Sequence, residues 1–194
     1  MVSKQELDEL RNELSIKAKN GLDFTLSASI IWLVISSIWT LDKSAYGKSI
    51  LTFYVGPMML PFAFLLSKVV KTAWTTKSNP LQPLGLWLNF AQLFYFPFLI
   101  FTLSKMPEYF AMVYVIITGG HFFPYSWFYQ NRWYALAAGV SVTGALILGA
   151  KLETQNFYLI PLFFSVVLIV LTILLYLDFR KKEQAYKNRT LNEQ

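Results

Sequence analysis

Residues 157–177 read FYLIPLFFSVVLIVLTILLYL, a run without a single Asp, Glu, Lys or Arg. A helix crosses a ~30 Å hydrocarbon core in ~20 residues, so this run has the length and composition of a membrane span. Working outward, five more uncharged runs appear: Phe24 to Leu41, Ser49 to Ser67, Leu81 to Ser104, Tyr109 to Asn131 and Trp133 to Ala150. In lipid every backbone N–H and C=O must be paired inside the protein, which leaves helices or closed barrels. The ~10-residue alternation of a barrel strand is absent. The expectation is an all-α integral membrane bundle of six transmembrane helices, over about 22–41, 49–67, 82–104, 109–130, 133–150 and 157–178.

Composition agrees: 55% hydrophobic and 14% charged residues are too apolar a mixture for an ordinary water-soluble domain. The absence of cysteine excludes disulfides, thiol redox chemistry and Cys-ligated metal. A net charge of +6 raises the question of nucleic acid, but its placement answers against it. With the N-terminus inside, the inner segments hold Lys4, Arg11, Lys17 and Lys19, then Lys68, Lys71 and Lys77, then Arg132, then Arg180, Lys181, Lys182, Lys187 and Arg189. The outer loops hold Lys43, Lys48, Lys105 and Lys151. Basic loops resist translocation, so both termini are expected in the cytoplasm. The positive charge then meets anionic lipid headgroups, with no nucleic acid implied.

Residues 1–20 are read as a short amphipathic helix on the cytoplasmic face, 21–179 as the membrane domain and 180–194 as a basic tail. Ser3 and Glu6 form a capping-box pattern, Leu7, Leu10 and Leu14 share one face, and Asn20-Gly21 is a stop signal. Asp23, at the inner mouth of the first span, is expected as an interfacial acid within reach of Lys68 or Lys71. Trp39, Trp74, Trp87, Trp127, Trp133, Tyr129 and Tyr134 lie near span ends, where aromatic belts form.

Inside the spans, Pro61, Pro97, Pro124 and Pro161 occupy similar settings, and Gly56-Pro57 adds another. Proline removes a helix hydrogen bond, so kinks at similar depth open space between helices. On the third span Asn89 and Gln92 share a face; on the fourth Tyr114, Thr118, His121 and Tyr125 share another. Folding the pair about Lys105 to Glu108 sets Asn89 or Gln92 opposite His121, because paired positions sum to about 210–213. Polar groups in a bilayer usually face the bundle interior, where they bind, relay protons or hold helices together. These six residues are the candidate ligand site, for a small apolar or cationic ligand. The lone His121 makes no metal centre and no cofactor is implied. Ser141, Ala145 and Gly149 form a small-residue stripe for helix packing, within the bundle or in a homo-oligomer.

The stretch from Asn79-Pro80-Leu81 through Gly120-His121-Phe122-Phe123-Pro124-Tyr125-Ser126-Trp127-Phe128-Tyr129 resembles a family of small, uncharacterised multi-pass membrane proteins of Bacillus-like bacteria. The resemblance implies a bacterial plasma membrane and no particular activity. On the residues, a transporter or ligand-binding membrane protein comes first, and a non-catalytic sensor, scaffold or assembly factor second. A membrane-embedded lipid-modifying enzyme comes last, since it needs more His and Asp than the spans hold. Orientation is checked by placing single cysteines in this Cys-free chain and labelling intact cells from outside. The 68–82 loop and the C-terminal tail should stay unlabelled, and strong labelling of the tail reverses the assignment.

Overall fold

A computed structural model describes residues 3–192, with side chains from 3 to 188; Arg189 and the last residues of the expected basic tail lie outside those side chains. The described residues are helices and connecting turns, with no strand among them. The order is α1 (Lys4–Lys17), α2 (Leu22–Trp39), α3 (Ala45–Val55), α4 (Met59–Val70), α5 (Gln82–Leu93), α6 (Phe96–Lys105), α7 (Phe110–Gly120), α8 (Phe123–Phe128), α9 (Arg132–Lys151) and α10 (Leu159–Asn192). Among the described residues, five stretches are able by length and composition to cross a membrane: Lys19–Trp39, Ala45–Val70, Gln82–Lys105, Arg132–Lys151 and Thr154–Asn188.

The run read as a fourth span, 109–130, is instead two short helices, α7 and α8, separated by a turn at His121 and Phe122. Its cause is Pro124, which has no N–H for the carbonyl of Gly120. The next donor, Tyr125 N–H, reaches back only to Phe122 O at 3.0 Å. Similar breaks fall at Gly56–Met58, where Pro57 sits in a 3-10 turn, and at Phe94 and Tyr95, just before Pro97.

The core centres on α2 and α10. Ala28, Trp32 and Ile35 of α2 are buried with Ile160, Phe164 and Leu168 of α10. Small hydroxyls tie the helices: Ser165 donates to Ser29 O at 2.7 Å, Ser36 to Tyr158 O at 2.9 Å, and Ser27 to Met59 O at 2.8 Å on α4. In lipid, where apolar contact alone does not drive helices together, such bonds and close packing do. The stripe on α9 packs inside the chain: Ser141, Ala145 and Gly149 are buried. A Cβ on Gly119 of α7 would run into Ser141 Cβ, and one on Gly149 would run into Met112 Sδ. The outward faces of α4, α5 and α6 are apolar and bare, with Val69 at 78%, Trp87 at 67% and Phe98 at 63% exposure, as is Phe94 between α5 and α6 at 82%. Apolar surface on that scale suits lipid rather than water.

At the end of the bundle that carries α1, polar residues form a knot. Ser3 and Glu6 cap α1 reciprocally. Arg11 donates through Nε to Trp127 O at 2.7 Å and stacks over the Trp127 ring, while Gln130 donates to Asp8 at 2.9 Å. Asn79 donates to Leu10 O and to Glu13 Oε2, at 2.8 and 2.7 Å. The Lys17 ammonium beside Glu13, with Asn79 behind it, holds that carboxyl below the usual carboxylate range. Lys19, Asn20 and Gly21 all take positive φ, and Asn20 is fully buried. Its side chain accepts from Ser15 and donates to Leu175 O and Asp178, both at 3.0 Å, while Tyr134 donates to Asn20 O at 2.6 Å. Lys182 completes the knot, paired with Asp178 at 3.0 Å and donating to Ser15 Oγ and Tyr129 O at 2.8 Å.

Trp39, Tyr129 and Tyr134, expected in an aromatic belt, are buried instead. Trp39 spends its indole N–H on Thr52 at 3.0 Å, so it serves the α2–α3 contact. Replacing Asn20 leaves Ser15 and Asp178 short of a buried partner and puts a poorer residue in a left-handed turn. Asn20→Ala should therefore destabilise by about 2–3 kcal/mol, read as a lower thermal midpoint of the purified protein; an unchanged midpoint removes Asn20 from this role.

Candidate functional site: a cavity at the helix breaks

The broken helices meet around one void. A cavity of about 850 Å³ lies between α2 and the α3–α4 break on one side and α5, α7 and α8 on the other. Its wall takes in Gly56 and Pro57 at the first break, Gln92, Leu93 and Phe96 at the second, and Thr118, His121 and Phe122 at the third. Irregular backbone at membrane depth persists where it is buried or lines a cavity, which describes Gly56 and His121–Phe122, whereas at the second break Phe94 and Tyr95 are exposed and only the flanking Gln92, Leu93 and Phe96 reach the cavity. Pro97 and Pro124 also leave the carbonyls of Leu93 and Gly120 without the donor a regular helix would offer. Leu14 and Ala18 close the end nearest α1.

Asn89, Gln92, Tyr114, Thr118, His121 and Tyr125 all line this cavity. Their bonding differs from the expected pattern. Gln92 donates to Thr118 Oγ1 at 3.2 Å, one turn before His121, and Asn89 donates to Gly85 O of its own helix at 3.0 Å. Neither amide meets His121. The imidazole instead lies edge-on to the Tyr125 ring, with centroids 5.2 Å apart. Tyr125 reaches Gly85 O at 3.3 Å. His121 and Tyr114 have no side-chain hydrogen bond among the described residues, so an imidazole and a phenol face the void unsatisfied. Buried polar groups are nearly always hydrogen-bonded, and unpaired ones lining a cavity are available to a guest.

α5 is held loosely. None of its residues is buried, and its ties are Gln92 to Thr118, Gly85 to Tyr125, the packing of Gly85 on Phe128, whose ring a Cβ would meet at 3.1 Å, and the partly buried Leu84 and Leu88 against the aromatic cluster. The cavity therefore lies behind a helix with no fully buried residue.

Residues 7–178 match a family of unknown function, DUF7010. The chain belongs to that family. The matched region contains every residue of the cavity wall. No curated protein and no solved structure matches the chain.

The wall of this DUF7010 cavity also has members that sequence patterns assign to other places. Asp23 lines it, 1% exposed, accepting from Thr72 at 2.8 Å and Trp74 at 2.5 Å. The expected pairing of Asp23 with Lys68 or Lys71 does not occur; the Lys68 ammonium instead sits 4.5 Å from the centre of the Phe64 ring. Trp32, Trp74, Tyr129 and Tyr134 complete an aromatic lining. The available signal was Asp23 itself, an acid placed directly before an uncharged run. Among the described residues no group of three or more Asp, Glu or His stands where it would hold a metal ion.

His121 makes no hydrogen bond that its removal would break. His121→Ala should therefore leave the fold intact, at a cost of no more than ~1 kcal/mol for the missing edge-on stacking with Tyr125, read as a thermal midpoint close to that of the native protein. A large fall would make the imidazole a structural tie between helices.

Proposed function

We propose that this chain is a multi-pass protein of a bacterial plasma membrane, with both termini in the cytoplasm, that binds a small ligand in the cavity and carries it through the bilayer. The 109–130 segment completes a sixth crossing as two half-helices. Their break lines the cavity, as non-helical backbone in a membrane must. The distribution of Lys and Arg supports the orientation, and the bare apolar faces of α4, α5 and α6 support contact with lipid.

The observation that carries the reading is a drug-sized void of about 850 Å³ with polar side chains facing it unpaired. Ligand sites are concave, mostly apolar and furnished with a few polar groups, within roughly 300–1,000 Å³. A loosely held α5 provides the part that moves. The alternative of a scaffold working through its N-terminal helix has less to use, because Asp8, Arg11 and Glu13 are spent on contacts within the chain.

The test is a thermal-melt screen of small amphiphiles on the full chain in lipid nanodiscs, with Asn89→Trp as the blocked control. The Asn89 side chain bonds only its own helix, so an indole there fills the void without breaking a bond between helices. Compounds should raise the native midpoint and have no such effect on Asn89→Trp, since a ligand stabilises only the state it binds. If no compound acts, or all act equally on both proteins, the cavity is not a ligand site.

A further inference from the structure

The acidic group in the cavity wall is Asp23, in the first turn of α2, where the Asp23 and Phe24 backbone N–H groups face its carboxyl and no Lys or Arg among the described residues forms an ion pair with it. Among the described residues the ion pairs are Arg11–Asp8, Lys17–Glu13, Lys182–Asp178 and Lys187–Glu183. On the neighbouring elements, Lys19 donates to Val70 O and Lys68 covers Phe64. Thr72 and Trp74 supply two hydrogen bonds to one carboxylate oxygen, which orient the group without cancelling its charge. A buried carboxylate lacking a cation is expensive, and more so when lipid surrounds the protein.

The surroundings of Asp23 are aromatic. Phe24 stacks on Trp74 with centroids 4.9 Å apart, and Phe64 meets the same indole edge-on at 5.3 Å. Tyr129 packs against the neighbouring turn, its ring edge 3.4 Å from where a Gly21 Cβ would be. Tyr129 is 8% exposed, its hydroxyl has no hydrogen bond among the described residues, and it lines the same cavity. Ring faces beside a fixed negative charge are the chemistry that holds organic ammonium groups, through cation–π attraction and a single ion pair.

We infer that the cavity takes a hydrophobic monovalent organic cation, seated with its charge against Asp23 and its apolar body toward Trp32 and the helix breaks. This rests on the proposed ligand-binding reading and narrows it to one class of ligand. His121 and Tyr114 then contact the apolar end of the guest, and Asp23 sets the sign of charge that enters.

The experiment measures binding of tetraphenylphosphonium, neutral triphenylphosphine oxide and anionic tetraphenylborate to the full chain in nanodiscs of uncharged phosphatidylcholine, with empty nanodiscs as blank. The native protein should prefer the cation to the neutral compound and reject the anion, a ranking that needs no variant. Asp23→Asn keeps an oxygen for Thr72 and Trp74 and should weaken cation binding at least tenfold while changing the neutral compound less than twofold. Equal binding of cation and neutral compound, an Asp23→Asn protein that holds the cation as well as the native one, or no cation binding at all overturns the inference. A neutral compound displaced by Asn89→Trp in those cases leaves the ligand cavity standing and makes Asp23 a proton-carrying or purely structural acid. Failure of both the neutral compound and every hit of the amphiphile screen to bind would instead remove the cavity reading itself.

Discussion

The side chain of Asn20 is the joint on which this arrangement turns. Three successive positive φ values reverse the chain between α1 and α2, a conformation that disfavours any residue with a Cβ. Asn tolerates it better than most, and here its amide also ties Ser15 of α1 to Leu175 and Asp178 of α10. Asp178 in turn accepts from Asn131, the residue that caps α9. One buried amide and one carboxylate thus fix where α1, α2, α9 and α10 meet. The position of Asp23, at the start of α2, follows from that joint.

A second constraint comes from proline. In water, a carbonyl deprived of its helical donor turns to solvent; inside a bilayer it has the protein or nothing. Pro57, Pro97 and Pro124 interrupt three helices, and residues at or beside each interruption line one void, although Phe94 and Tyr95 of the second are exposed on the outer surface. The same geometry that solves the backbone problem makes room for a guest. It also leaves His121 and Tyr114 unpaired, where packing the gap with apolar side chains would have been simpler. The fully buried side chains lie mainly in α2, α7, α9 and α10, while α5 contributes only partly buried ones.

The two ends of the cavity differ in chemistry. Near α1, a carboxylate sits among aromatic rings and a tightly bonded polar knot. Near the helix breaks, neutral polar groups and apolar walls predominate.

The sequence by itself determined the solvent and the class of fold: uncharged runs of helical length leave no other economical structure for residues 22–178. It also placed Asn89, Gln92, Tyr114, Thr118, His121 and Tyr125 together, because helical periodicity and a hairpin register are local rules that need only spacing. It marked Pro57, Pro97 and Pro124 as sites of bending and Asn20-Gly21 as the end of α1, while Pro61 and Pro161, expected to kink their helices too, fall in the first turns of α4 and α10, where proline is tolerated. Only the tertiary structure decided that Gln92 meets Thr118 and leaves His121 to Tyr125, since the choice between neighbours one turn apart depends on side-chain reach that periodicity does not contain. Likewise, only the tertiary structure turned Asp23 from an interfacial acid into a buried wall of the cavity. Its partners, Thr72 and Trp74, come from a loop about 50 residues away in sequence, beyond the reach of any local pattern.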